Sequence, residues 1–189
     1  MGQTQIRIGG FGGQGVILSG IMIGRAAALH AERYATLVQS YGPEARGSHS
    51  SAEVIIADKP IACPYVREAD ILIALSQDAY ARFVPRLKSH GTLITEADLV
   101  RLEPEPATAA RFSVPATRLA EALGRRVVLN VIVVGFFAAL SHVLPPDALE
   151  RAVLESVPAE SRDMNLSAFR RGLEAGREAI AARPESTAP

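Results

Sequence analysis

The chain is poor in the residues that build covalent staples and metal centres. One cysteine, Cys63, and no tryptophan occur among its 189 residues. A single thiol excludes an internal disulfide, a Cys-rich zinc site and a Cys-ligated iron–sulfur cluster made by this chain alone. Flanked by apolar neighbours in the segment Ile61–Pro64, Cys63 reads as a small packing residue rather than a nucleophile. The four histidines, His30, His49, His90 and His142, are isolated and form no H-x-x-x-H pair, so no metal site is expected. There is no G-x-S-x-G elbow for a serine nucleophile. A G-x-x-x-x-G-K-[ST] phosphate loop is missing too, because Gly10 and Gly15 are followed by Val16 and Ile17. Without that lysine and hydroxyl, ATP hydrolysis is not expected.

Charge of one sign is also lacking. Twenty basic side chains balance 20 acidic ones, which leaves no electrostatic footprint for nucleic acid. A near-zero net charge also puts little repulsion between the chain and a partner. The amino end has no basic segment leading into an apolar core, and no Ser or Thr stands where myristoylation needs one, so a cytoplasmic protein is expected. The longest apolar run, Val127–Leu144, reaches only the lower edge of membrane-spanning length and is interrupted by Asn130, Ser141 and His142. It reads as a helix buried inside the protein or against a neighbouring subunit. Hydrophobic residues make up 48% of the sequence and charged ones 21%, a globular balance expected to form one domain over residues 1–182 with a flexible tail at 183–189.

What is present begins with glycine. A short apolar run at Ile6–Ile8 leads into GGFGGQG at residues 9–15 and then into the apolar stretch Val16–His30. Gly10, Gly12 and Gly15 satisfy G-x-G-x-x-G in the strand–turn–helix context that gives the pattern its meaning. Bare backbone N–H groups and the positive end of the following helix suit a phosphate or another anion. The candidate site residues here are Gly10, Phe11, Gly12, Gly13, Gln14 and Gly15. The second half of a dinucleotide fingerprint is absent. The next strand, Arg33–Val38, leaves through Gln39–Gly42 with no carboxylate at its tip, and Glu32 stands at its wrong end, which argues against NAD or FAD. A glycine turn that only joins strand to helix, with no ligand, is the plain alternative.

Strand-like runs at Ile6–Ile8, Tyr34–Val38, Ala52–Ala57, Asp70–Leu75, Gly91–Thr95 and Ala110–Val114 alternate with helical patterns at Val16–His30, Ala79–Lys88 and Ala116–Leu123. Alternation of this kind predicts an α/β fold: a doubly wound, mostly parallel sheet with helices on both faces. Asp58–Pro60 marks a turn and suggests a short hairpin there. Gly124 is a helix stop, and beyond it the pattern becomes helical at Val127–Leu144, Pro146–Ser156 and Ser167–Ala182. The segment Gln39–Ser51 reads as a second loop on the same sheet edge, carrying Arg46, Gly47, Ser48, His49, Ser50 and Ser51. Ligands of such sheets bind along that edge, and Arg46 would add a fixed cation.

These pieces resemble a known family. The opening IGGFGGQGV at residues 8–16 looks like the start of the gamma subunit of the 2-oxoacid:ferredoxin (acceptor) oxidoreductases, which act on pyruvate, 2-oxoglutarate, 2-oxoisovalerate, indolepyruvate or phenylglyoxylate. YGPEARG at 41–47 is similar to the family's second signature, with Ser48 where a second glycine usually follows. The likeness continues through Asp70–Leu75, Asn130–Gly135 and Asn165–Gly172, five segments in order. The resemblance implies a subunit with no catalytic residues of its own, in a hetero-oligomer that turns a 2-oxoacid and coenzyme A into acyl-CoA and CO2. Thiamine diphosphate with Mg would sit on alpha and beta subunits, and 4Fe–4S clusters on those or on a ferredoxin-like subunit. Coenzyme A would be bound or gated in some measure here, its pyrophosphate at Gly10–Gly15 and a phosphate at Arg46, Gly47 and Ser48. Two readings outside the family are a dinucleotide-dependent reductase and a free-standing nucleotide-binding module.

Overall fold

A computed structural model describes residues 2–42, 48–106 and 110–183. Six strands, β1 (Gln3–Phe11), β2 (Tyr34–Tyr41), β3 (His49–Ala57), β4 (Ala69–Ala74), β5 (Leu87–Glu96) and β6 (Ala110–Val114), form one sheet in the order β2-β3-β1-β4-β5-β6. β1, β4, β5 and β6 run parallel, while β3 is antiparallel to both of its neighbours. The mostly parallel α/β expectation holds, with β3 as an inserted antiparallel strand. Its placement follows from chain length. Only residues 42–48 join β2 to β3, enough for a hairpin but not for the dozen or more residues of a parallel crossover.

The hairpin is therefore at residues 42–48 and not at Asp58–Pro60. β3 and β4 both pair with β1 and never with each other. Stretches of the segment Gln39–Ser51 expected as loop are strand: Gln39–Tyr41 closes β2 and His49–Ser51 opens β3. Polar residues hid these strand ends because the sheet is partly exposed there, so apolar alternation fades.

Helices α1 (Val16–Arg25), α3 (Ala116–Ala122), α4 (Leu129–Leu140), α5 (Pro146–Glu155) and α6 (Arg162–Ala181) share a core with Ile6, Ile8, Val54, Ile56, Ile71, Ile73 and Ile94 on one sheet face. α2 (Gln77–Phe83) covers the other face, packing Tyr80 on Leu72, Ala74 and Leu93. The apolar run at 127–144 is thus a buried central helix, as expected, though it is shorter. Among the described residues no helix is long and apolar enough to cross a membrane. The helix expected over Ala79–Lys88 ends at Phe83, since Pro85 lies in a tight turn and β5 starts at Leu87. α1 is continued to His30 by one wider π turn. Gly124 adopts φ +78° just past α3, the left-handed stop its position predicted. Cys63 is exposed and not a packing residue, because residues 58–68 run over the surface between β3 and β4. Arg183 lays its guanidinium 5.2 Å from the Phe112 ring centre, and residues 184–189 lie outside the described chain.

Two contacts hold the layers. α4 and α6 touch backbone to backbone. A Cβ on Gly135 would lie 2.1 Å from the Phe169 carbonyl oxygen, and one on Gly172 would lie 2.0 Å from that of Ile132. On the α2 face, buried Arg7 donates to Glu53 Oε1 at 2.6 Å and to the Val66 carbonyl at 2.5 Å, beneath the Phe83 ring at 5.0 Å. Glu53 Oε2 accepts from Val66 N–H at 2.9 Å, so one ion pair anchors the surface segment to the sheet. Tyr80 hydroxyl donates to the Pro104 carbonyl. Burial pushes this phenol above the ordinary tyrosine value, an effect partly offset by the Arg111 guanidinium.

Gly135→Ala is expected to cost at least about 1–3 kcal/mol, since a methyl group must push the touching backbones apart. Urea denaturation of the purified chain checks this. Glu53→Ala, which strands the Arg7 guanidinium without its carboxylate, is expected to cost about 3 kcal/mol by the same measurement, and Arg7→Met less.

Candidate anion site at the carboxyl edge

The Gly-rich turn stands where β1 ends and α1 begins. Gly13 and Gly15 adopt φ +94° and +70°, left-handed values that a side chain resists, and Gly15 serves as the N-cap of α1. The Gln14 side chain turns inward. Its Oε1 accepts from Phe11 N–H at 2.7 Å and its Nε2 donates to the Leu75 carbonyl at 2.7 Å, bridging the ends of β1 and β4. Gly12 N–H donates to the Ser48 carbonyl at 2.9 Å, and Gly42 N–H to that of His49 at 2.8 Å. The second loop is thereby stapled to the first. Phe11 adds a ring contact with His49, centroids 5.6 Å apart.

Those bonds leave the N–H groups of Gly13, Gly15 and Val16 without acceptors among the described residues. They border a cavity of about 460 Å³ lined also by Phe11, Ile17, Tyr41 and Ser50. No acidic residue lies in the first turn of α1, and no side chain caps it. The positive helix end is therefore uncompensated where the cavity meets it. This is an anion cradle of main-chain donors, and among the described residues no cluster of metal-ligating side chains accompanies it.

Of the residues expected at the site, Gly10, Phe11, Gly12, Gly13, Gly15 and Ser48 come together at this edge. Gln14 is there too, but its amide is committed to backbone. Arg46 and Gly47 lie outside the described residues. On the opposite side of the same strand ends, Ser51, His49, Asp78 and Arg82 line a smaller cavity of about 220 Å³. Sequence reasoning did not place Tyr41, Ile17 or Asn130 at the site. Asn130 comes from α4 and packs on Gly15: a Cβ built there would sit 2.7 Å from Asn130 Cγ. Its signals in the sequence were a polar residue inside the apolar run and its place at the head of the family-like segment Asn130–Gly135.

The family model described as pyruvate ferredoxin/flavodoxin oxidoreductase matches residues 5–175. A 2-oxoglutarate synthase subunit KorC from Methanocaldococcus jannaschii is 41% identical over 178 residues, 93% of this chain and 95% of that protein. The crystal structure of a keto/oxoacid ferredoxin oxidoreductase gamma subunit from Geobacter sulfurreducens superposes with a TM-score of 0.84 at 35% identity, covering 95% of this chain and 99% of that one. The fold also recurs, at 21% identity and a TM-score of 0.85, within 2-oxoglutarate:ferredoxin oxidoreductase from Magnetococcus marinus, a structure with 2-oxoglutarate, coenzyme A and succinyl-CoA bound. It covers 97% of this chain and 32% of that one. The chain belongs to the pyruvate ferredoxin/flavodoxin oxidoreductase family, as a gamma subunit of a 2-oxoacid:ferredoxin oxidoreductase.

Proposed function

We propose that the carboxyl edge of this subunit binds the phosphate-bearing end of coenzyme A and presents its thiol to the partner subunits. The observation that carries this reading is the cluster of acceptor-less N–H groups at Gly13, Gly15 and Val16, set at an uncapped helix end beside a cavity. Main-chain donors of this kind fit a pyrophosphate. Coenzyme A also carries a ribose phosphate, and the loop holding Arg46, Gly47 and Ser48 is the segment that would meet it.

This chain's residues would bind and orient the coenzyme and form no covalent bond to it. Thiamine diphosphate with Mg, on alpha and beta subunits, would supply the decarboxylation chemistry. The 4Fe–4S clusters there or on a ferredoxin-like subunit would carry electrons to the acceptor. The whole assembly would be a cytoplasmic hetero-oligomer folding this subunit as one domain. A dinucleotide reductase is the poorer reading, because β2 ends at Tyr41 with no carboxylate to hold a ribose. The KorC relative supports 2-oxoglutarate as the 2-oxoacid.

Gly13→Asp tests the site. A Cβ there meets nothing within 4 Å, so the carboxylate has room beside the donors. The φ of +94° strains any side chain, Asp being among those that tolerate positive φ best. A melting temperature on the same variant reads that backbone cost separately from binding. In the complex with its partner subunits, the KM for coenzyme A is expected to rise about tenfold or more with kcat little changed. Intact assembly with an unchanged KM would remove coenzyme A from this turn. Loss of co-purification would instead make the turn an interface element. For the substrate, the wild-type complex is expected to reduce ferredoxin faster with 2-oxoglutarate than with pyruvate. Equal or reversed rates would dismiss the assignment.

A further inference from the structure

Asn130 packs behind the Gly-rich turn, against Gly15 and not on the cavity lining itself. It stands in the first turn of α4, is 4% exposed, and its amide Nδ2 is buried with no hydrogen-bond acceptor among the described residues. Buried donors without acceptors are costly and uncommon, so each calls for a physical reason. Packing alone does not give one, because a leucine of similar size would fill the space with no donor to desolvate.

Its surroundings suggest a reason. Asn130 lies against Gly15, the N-cap of α1, and a Cβ built on that glycine would sit 2.6 Å from Asn130 Cβ and 3.1 Å from Nδ2. The absent side chain of Gly15 leaves only hydrogen between the amide and the turn. α4 begins with no side-chain cap and no acidic residue in its first turn, as α1 does. The uncompensated end of α1 and one unsatisfied amide thus meet at the same glycine, whereas the start of α4 is continued from a tight turn at Arg126–Val128 that already takes Leu129 N–H. Both features at Gly15 favour negative charge.

We propose that Asn130 is a binding residue for the anion held at this turn, its amide donating to a phosphate oxygen of coenzyme A alongside the Gly13, Gly15 and Val16 N–H groups. The inference rests on the coenzyme A reading and assigns that site a donor from a second helix. An asparagine amide turns about a soft, roughly two-fold torsion, so its N–H can reach the turn without moving α4.

The test uses the assembled complex carrying Asn130→Asp or Asn130→Leu, with Gly13→Asp assayed in parallel. Asn130→Asp keeps the shape, suits a helix start and removes the donor. It is expected to raise the KM for coenzyme A at least about tenfold, with kcat at saturation unchanged and melting temperature not lowered. Asn130→Leu is expected to raise KM by about the same factor while raising the melting temperature, because the unsatisfied amide is gone. A merely structural asparagine would move melting temperature alone, and an unchanged KM in either assembled variant overturns the proposal. If Gly13→Asp raises KM and the Asn130 variants do not, only this inference falls. If none of them moves KM, the coenzyme A reading falls with it.

Discussion

At the end of β1 the chain must turn from sheet into helix within a few residues, and the Gln14 carboxamide holds that turn. By accepting from Phe11 N–H and donating to the Leu75 carbonyl, it closes the gap between β1 and β4. In open α/β sheets that gap, where neighbouring connections leave on opposite faces, is the usual ligand crevice. Here α1 covers one face and α2 the other, yet the crevice between their strands is filled by the protein's own side chain. The N–H groups of Gly13, Gly15 and Val16, without acceptors among the described residues, consequently border a space toward the β2–β3 hairpin instead. The site is displaced sideways by one clamp.

The antiparallel strand β3 makes that displacement useful. Because it pairs with both β1 and β2, it brings the hairpin residues Ser48 and His49 against Gly12 and Phe11. A parallel strand in the same place would have carried its start, and not this hairpin, to the opposite end of the sheet. The glycine turn is therefore joined to the described end of the hairpin by a main-chain bond, Gly12 N–H to the Ser48 carbonyl.

The helical layer contributes rigidity and one polar group. α4 is almost wholly buried between the sheet and α6, with glycine at the crossing so that the backbones touch. An element so enclosed has little freedom to shift, and its first turn is pressed against Gly15. The asparagine there is thus held by the core while facing the turn. The Arg7–Glu53 pair does comparable work on the other face, tying the surface segment between β3 and β4 to the sheet beneath α2.

The strand and helix alternation, the Gly-rich turn, the stop at Gly124 and the burial of the 127–144 run were all legible in the sequence. Each is a local matter: periodicity, the conformational range of glycine, and the length of an apolar stretch act within a dozen residues. The family likeness was legible for the same reason, as short ordered segments. Tertiary structure alone decided the hairpin at 42–48, the sheet order around β1, the inward turn of Gln14 and the meeting of Asn130 with Gly15. These depend on which distant segments pair, and on which polar atoms then find partners. Gln14 and Asn130 are both amides in suggestive places along the chain; only packing satisfies the first with backbone and leaves the second without an acceptor among the described residues.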